Sequence, residues 1–236
     1  MIPYLMAGDP SLEFTERAVK ELAAAGADLI ELGVPFSDPV ADGPAIQQAG
    51  QRALQSGTTL GGIVEMVAGL RRQGLETPIL LMSYYNPLYR MGLGRASRGL
   101  AEAGVDGLIV PDLPPEESDE LEGELKQYGL VLVYLLAPTS SEQRIGMVAR
   151  RAAGFIYCVS LTGVTGARSE LPPGLGEFLQ RVRSASSLPL AVGFGISTPQ
   201  QVAAVSAVAD AVIIGSALIE ESGPSVAKFR QLAGRG

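Results

Sequence analysis

The sequence predicts a single (β/α)8 barrel, the TIM fold, across residues 1–236. Three observations carry the prediction: eight apolar runs recur along the chain, helical patterns lie between them, and each run is continuously apolar rather than alternating, as in a parallel sheet buried on both faces. The first run, "IPYLM" from Ile2, leads through "MAGDPS" into "EFTERAVKELAAAGA". In that stretch apolar positions recur every three or four residues and a glycine stands near the end, as in an amphipathic helix. The second to fourth runs are "DLIELGV" from Asp28, "PILLM" from Pro78 and "GLIVP" from Gly107, the last followed by the helical pattern "EESDELEGELKQYG". "VLVYLL" from Val131, "FIYCV" from Phe155, "LPLAVGF" from Leu188 and "AVIIG" from Ala211 complete the set, with "TPQQVAAVSAVA" as the helix between the last two. A doubly wound open sheet is the alternative, but "MAGDPS" stands where that fold carries its glycine-rich fingerprint. Nothing in the chain reads as a linker, a low-complexity tract or a second domain.

Composition narrows the chemistry. With 47% hydrophobic and 18% charged residues, 29 glycines and 16 prolines, the chain is globular and too apolar for disorder. A formal net charge of −7 and the lack of any basic run argue against nucleic acid or anionic membrane as the main partner. An anionic small substrate stays open, because backbone amides bind phosphate without a neighbouring cation. The lone Cys158 rules out an internal disulfide and suits a reducing cytoplasm. No signal peptide is visible, and no apolar run approaches the roughly 20 residues of a membrane span. With no histidine, imidazole metal sites and Ser–His or Cys–His nucleophiles are excluded. Lys20, Lys126 and Lys228 fall in helical stretches, away from strand ends where an imine could meet a substrate. Acid–base work is left to Asp, Glu and Tyr.

A barrel places its functional groups at the C-terminal ends of the strands. There the stretch "ELGVPFSDPVADGP" puts Glu31 near the end of the second strand and Asp42 in the loop behind it. Glu31 interrupts a run fit for burial, and a buried carboxylate is costly unless paired or protonated. Taken alone, Glu31 could equally face solvent or a salt bridge, and Asp42 in "ADGP" could be an ordinary Asp-Gly turn. Tyr4, Met82, Ile109 and Tyr157 project toward the same mouth or its throat. After the last two strands come two glycine clusters, "GFGIS" from Gly193 and "GSAL" from Gly215. These are the loops where such barrels hold phosphate, since glycine lets backbone approach the anion and a helix start offers free N–H groups. Tight turns alone would also use glycine there. The stretch "SLTGVTGARSELPPGLG" from Ser160 is long for a strand-to-helix connection and reads as a water-excluding lid or a plain surface loop.

Together these motifs resemble the tryptophan synthase α subunit. The resemblance runs through almost the whole chain. It is carried most specifically by "LIELGVPFSDPVADGPAIQ", and then by "YYNPL", "GLIVPDLPPEES", "LLAPTS", "SLTGVTG", "VGFGIS" and "GSAL" in family order. By position it implies that Glu31 and Asp42 are the catalytic carboxylates, with Tyr157 beside them. It places Thr165 and Gly166 in the lid, and Gly166, Gly195, Gly215 and Ser216 on the phosphate. Tyr4, Ile46, Met82, Ile109 and Phe194 then surround the indole and its side chain. In one respect the chain departs from the family pattern: a helix normally precedes the first strand, whereas here the chain starts almost inside that strand, so the implied barrel lacks most of that helix.

The reaction implied by the resemblance is a reversible retro-aldol cleavage of indole-3-glycerol phosphate to indole and glyceraldehyde 3-phosphate. The substrate supplies its own electron sink, because protonating indole C3 gives an indolenine whose C=N⁺ accepts the electrons of the breaking bond. The protein then needs a proton donor at C3, a base for the side-chain hydroxyl and an anion near the ring N–H. No cofactor is expected in this chain. The implied partner is a β subunit carrying pyridoxal phosphate, in an α2β2 assembly, with Pro35 to Pro39, Asn86, Pro87 and Asp112 to Pro115 as candidate contacts. Another phosphate-binding barrel of histidine or thiamine biosynthesis, and a catalytically silent activator of the β subunit, are the competing readings.

Overall fold

The computed structural model describes residues 1–160, 174–193, 195–220 and 223–234. Its apolar runs become nine strands: β1 (Ile2–Met6), β2 (Ile30–Gly33), β3 (Ile79–Met82), β4 (Gly107–Ile109), β5 (Val131–Val133), β6 (Leu135–Leu136), β7 (Ile156–Val159), β8 (Leu190–Gly193) and β9 (Ala211–Ile214). They pair in the order β5-β4-β3-β2-β1-β9-β8-β7-β6, and every pairing is parallel. The two ends of that order, β5 and β6, are separated only by Tyr134. They are the two halves of the single run "VLVYLL". The sheet therefore closes on itself, and nine assigned strands occupy eight barrel positions.

The split at Tyr134 was not expected from the sequence. Its physical reason is the stagger a barrel demands, which makes one strand pair lower with one neighbour and higher with the next. Val131–Val133 bond to β4 and Leu135–Leu136 to β7. Between them the Tyr134 carbonyl accepts the Tyr157 N–H at 3.0 Å.

Strand residues alternate between two buried layers, which is why each run is apolar throughout. Ile2, Leu80, Ile109, Val133, Tyr157, Ala191 and Ile213 fill the barrel interior. Leu5, Leu32, Leu81, Leu108, Cys158 and Val192 face outward and pack beneath the helices.

Ten helices follow in the described residues. Helix α1 (Leu12–Ala24) is started by Ser11, whose hydroxyl accepts the Phe14 N–H. Helix α2 (Pro44–Gln55) begins with a proline, whose missing N–H costs nothing there. The others are α3 (Leu60–Arg72), α4 (Tyr85–Met91), α5 (Leu93–Ala103), α6 (Asp119–Gln127), α7 (Glu142–Arg151), α8 (Leu175–Ala185), α9 (Pro199–Ser206) and α10 (Val226–Leu232). Lys20, Lys126 and Lys228 lie in α1, α6 and α10, as the sequence predicted. No helix of the described residues is long and apolar enough to cross a membrane.

Candidate active site

Glu31 sits in the middle of β2 with Tyr4 and Leu80 as its neighbours across the sheet, so all three point into the barrel. It is 1% exposed, and neither carboxylate oxygen has a hydrogen-bond partner among the described residues. Burial, and then the charge of Asp42, push its pKa up to about 8. Glu31 therefore holds its proton at neutral pH, unlike the solvent-facing or salt-bridged glutamate that the sequence left open.

Asp42 comes from the 34–43 loop, which folds back over the mouth. Its carboxyl is part-buried; burial raises it, a hydrogen bond with Tyr84 opposes that, and the result is about 6. At neutral pH one carboxyl is mainly protonated and the other mainly ionised. Unlike environments thus assign one group as acid and the other as anion.

The loop is held by more than its prolines. Tyr84, which follows β3 and is buried, accepts the Ala41 N–H at 2.8 Å on its hydroxyl and stacks on Phe36 at 5.1 Å between centroids. Burial, and then the Asp42 charge against the opposing Ala41 bond, bring the Tyr84 phenol to about 12, so it stays a donor. Gln47, in the first turn of α2, donates to the Asp42 carbonyl at 2.9 Å. The far end of α2 is clamped in turn, because Arg52 makes a two-point pair with buried Asp9 at 2.7 Å on each oxygen. Tyr84 was missed as a site residue; its only sequence signal is "YYNPL" directly behind a strand end.

The described residues expected around the ring fall in two clusters. Tyr4 and Met6 cluster with Ala49 and Ala53, flanked by Ile46, Met82 and Ile219. Deeper, Ile109 packs with Leu80 and Tyr157, and Met82 touches both clusters. Tyr157 is buried at the throat; burial, and then the charge of Glu31, hold its phenol well above the usual value.

On the phosphate side the outcome is divided. Gly195 adopts φ +75°, a conformation that favours glycine, and Gly215 and Ser216 open a turn closed by the Leu218 N–H to the Gly215 carbonyl at 2.8 Å. The helix start at "GFGIS" is not free, however. Ser197 and Thr198 N–H both donate to Gln201 Oε1, and Gln201 N–H donates to the Thr198 hydroxyl, forming a complete capping box on α9. The amides of Ser197, Thr198 and Gln201 are therefore already engaged at that helix start. Thr165, Gly166 and Phe194 lie outside the described residues.

Fold and site together define a (β/α)8 barrel of the enzyme class, with one carboxyl buried inside it and a second, of opposite protonation, in the loop behind the same strand. The family model for the tryptophan synthase alpha chain matches residues 1–233. The tryptophan synthase alpha chain of Geobacter sp. (strain M21) is 54% identical over 220 residues, covering 93% of this chain and 82% of that one. The one from Roseiflexus sp. (strain RS-1) is 53% identical over 219 residues, covering 93% and 84%. Among solved structures, the tryptophan synthase α2β2 complex of Pyrococcus furiosus superposes with a TM-score of 0.92 at 37% identity, covering 99% of this chain and 97% of that chain. Subunit alpha from Legionella pneumophila str. Paris gives 0.89 at 38% identity, covering 100% and 92%. The chain belongs to the tryptophan synthase alpha chain family.

Proposed function

We propose that Glu31 and Asp42 divide between them the proton chemistry of the family reaction, the reversible cleavage of indole-3-glycerol phosphate to indole and glyceraldehyde 3-phosphate, which this chain carries out as a lyase of tryptophan biosynthesis. One observation supports the division: a buried, unpaired Glu31 at about 8 beside a part-buried Asp42 at about 6. Glu31 begins protonated and delivers its proton to indole C3. The Asp42 carboxylate accepts the ring N–H and stabilises the positive charge that develops there. Once ionised, Glu31 takes the proton of the side-chain hydroxyl as the carbon–carbon bond breaks, which restores the acid. Groups placed this way contribute roughly 10²–10⁴-fold through proton transfer, with electrostatic preorganisation adding to it. The phosphate rests on Gly195, Gly215 and Ser216; Thr165, Gly166 and Phe194, which the resemblance adds to the site, lie outside the described residues.

Indole is small and apolar, so its release into water would waste it. The partner that receives it is the β subunit, in an α2β2 assembly. We place pyridoxal phosphate on that subunit and the assembly in the cytoplasm. The decisive experiment is indole release from indole-3-glycerol phosphate by the purified chain and by Glu31→Gln. The variant keeps the shape and loses the proton, so its rate should fall by at least about 100-fold while glycerol phosphate still binds. Retention of more than a few per cent of the wild-type rate would remove Glu31 from the role of proton carrier.

A further inference from the structure

Two tyrosines line the throat, and each leans over a glycine of the next strand. A side chain on Gly33 would collide with the hydroxyl of Tyr4, and one on Gly193 with the hydroxyl of Tyr157. The register shows what this means for Tyr4. Tyr4 pairs with Glu31, and Met6 with Gly33. Gly33 lies two residues beyond Glu31 on the same interior face of β2, toward the mouth. The Tyr4 hydroxyl therefore sits on Glu31's own strand, directly on the side from which substrate enters, whereas the seat of Tyr157 is on β8.

Glu31 is the group that lacks a partner here, since both its oxygens are buried without a hydrogen bond among the described residues. A protonated acid tolerates that state. A carboxylate does not, and the reaction requires Glu31 to become one. The titratable groups facing Glu31 are Tyr4 from β1, Tyr157 from β7 and Asp42 from the loop behind β2, with Tyr84 behind Asp42. Asp42 can only repel the new charge. Tyr4 is 4% exposed and wedged among Met6, Ala49 and Ala53, so its ring has little freedom to leave.

We propose that Tyr4 is a positioning residue for Glu31: when Glu31 gives its proton to the substrate, the Tyr4 hydroxyl turns to donate a hydrogen bond to the new carboxylate and holds it for the return proton transfer. The phenol keeps its own proton throughout and no covalent bond changes. Burial, and then the charges of Asp42 and Glu31, hold the Tyr4 phenol well above its usual value, which keeps it a donor. Gly33 is glycine because this hydroxyl needs the space.

The inference rests on the reading of Glu31, so the test measures both. Tyr4→Phe, Gly33→Ala and Glu31→Gln are compared with wild type for indole release across pH, with glycerol phosphate binding as the check on folding. A hydrogen bond to a buried charge corresponds to a loss of about 10- to 100-fold in kcat for Tyr4→Phe, with KM within about threefold. The alkaline limb of the kcat/KM profile should move to higher pH by up to about one unit, because the ionised acid has lost its donor. Gly33→Ala, which keeps the phenol but drives it from its seat, should show a similar loss in kcat. Wild-type kcat in both variants, or a rise in KM alone, overturns the proposal and leaves Tyr4 as a wall of the ring pocket. An active Glu31→Gln overturns the reading of Glu31 instead.

Discussion

At the scale of single residues, the central feature is a carboxyl that folding deprives of water without offering a partner. The sign of its effect on stability follows directly. Glu31 moves from 4.5 to about 8, so between those pH values the folded chain keeps a proton that the unfolded chain has released. Stability therefore falls as pH rises through that window. Glu31→Gln removes the dependence, and its melting temperature should exceed that of wild type at pH 8 and match it near pH 4.5. A constant difference across that range would mean that Glu31 is not buried as an acid. On the proposed division, activity should show the complementary pattern: with Asp42 ionised and Glu31 protonated, kcat/KM should rise through about pH 6, fall through about pH 8 and peak between them. A profile flat from pH 5 to 9 would contradict the assignment. Asp42→Asn should flatten the acid limb along with its severe loss of rate.

At the scale of elements, the barrel is tied together by side chains that span several of them. Glu122 of α6 receives Arg151 of α7 at 2.6 Å, the Tyr134 hydroxyl from the β5–β6 junction at 2.7 Å, and Lys126 at 2.5 Å. Arg151 also donates to the Pro115 carbonyl at 2.7 Å. Burial pushes the Glu122 carboxyl up, but the bonds from Lys126, Tyr134 and Arg151 outweigh it and bring it down to about 2. A lowered carboxylate stabilises the fold above its unfolded pKa and loses that contribution as pH falls toward 2. Glu122→Gln should cost about 2 kcal/mol at pH 7, since it leaves the buried side of Arg151 poorly matched, and the difference should shrink below pH 4. Equal denaturation midpoints at pH 7 would show that the network is idle. Most of this network was hidden in the sequence: Lys126 is four residues along in "EESDELEGELKQYG", but Tyr134 and Arg151 lie 12 and 29 residues away. Of the two glycine turns, the one at Gly195 was legible in physical terms, because its positive φ favours that residue. Gly215 has room for a Cβ beside the Tyr4 ring, so Gly215→Asp should fold and fail only in anion binding. Calorimetric titration with glycerol phosphate should show at least a tenfold weaker Kd, and unchanged affinity would move the phosphate elsewhere.

At the scale of the whole molecule, the barrel was readable because closing eight buried strands forces long apolar runs at regular spacing, a demand that few other folds make. Glu31 was readable because a charge inside such a run is conspicuous, whereas Asp42, in a loop, was singled out only by the resemblance. What the sequence hid was anything created by folding back. Tyr84 reaches Ala41 across 43 residues, and the α9 capping box consumed amides that the motif seemed to offer. The same folding back creates the surface on which the partner claim rests. Asp112 accepts the Tyr85 N–H at 2.9 Å, which draws the loop behind β4 against α4, while Phe36 on Tyr84 draws the 34–43 loop to the same place. Val40 in the 34–43 loop is 84% exposed, and Tyr89 of α4, stacked on Tyr85, is 62% exposed, although most other large apolar side chains are covered. Exposed apolar and aromatic side chains on hydrogen-bonded loops lose little entropy on docking and are the kind of anchors that dominate interface energy. The candidate contacts at Pro35 to Pro39, Asn86, Pro87 and Asp112 to Pro115 lie in these same segments. Because Val40 lies two residues from Asp42 in a loop held by Tyr84, a subunit seated there would bear on the carboxylate, coupling docking to catalysis. Adding a cognate β subunit should therefore raise indole release by the wild-type chain. Val40→Asp and Tyr89→Ala should each weaken the complex by about tenfold, seen as a shift in the titration midpoint of that stimulation and as loss of the larger species on a sizing column. Stimulation that titrates identically for both variants and wild type would place the β subunit on another face of the barrel.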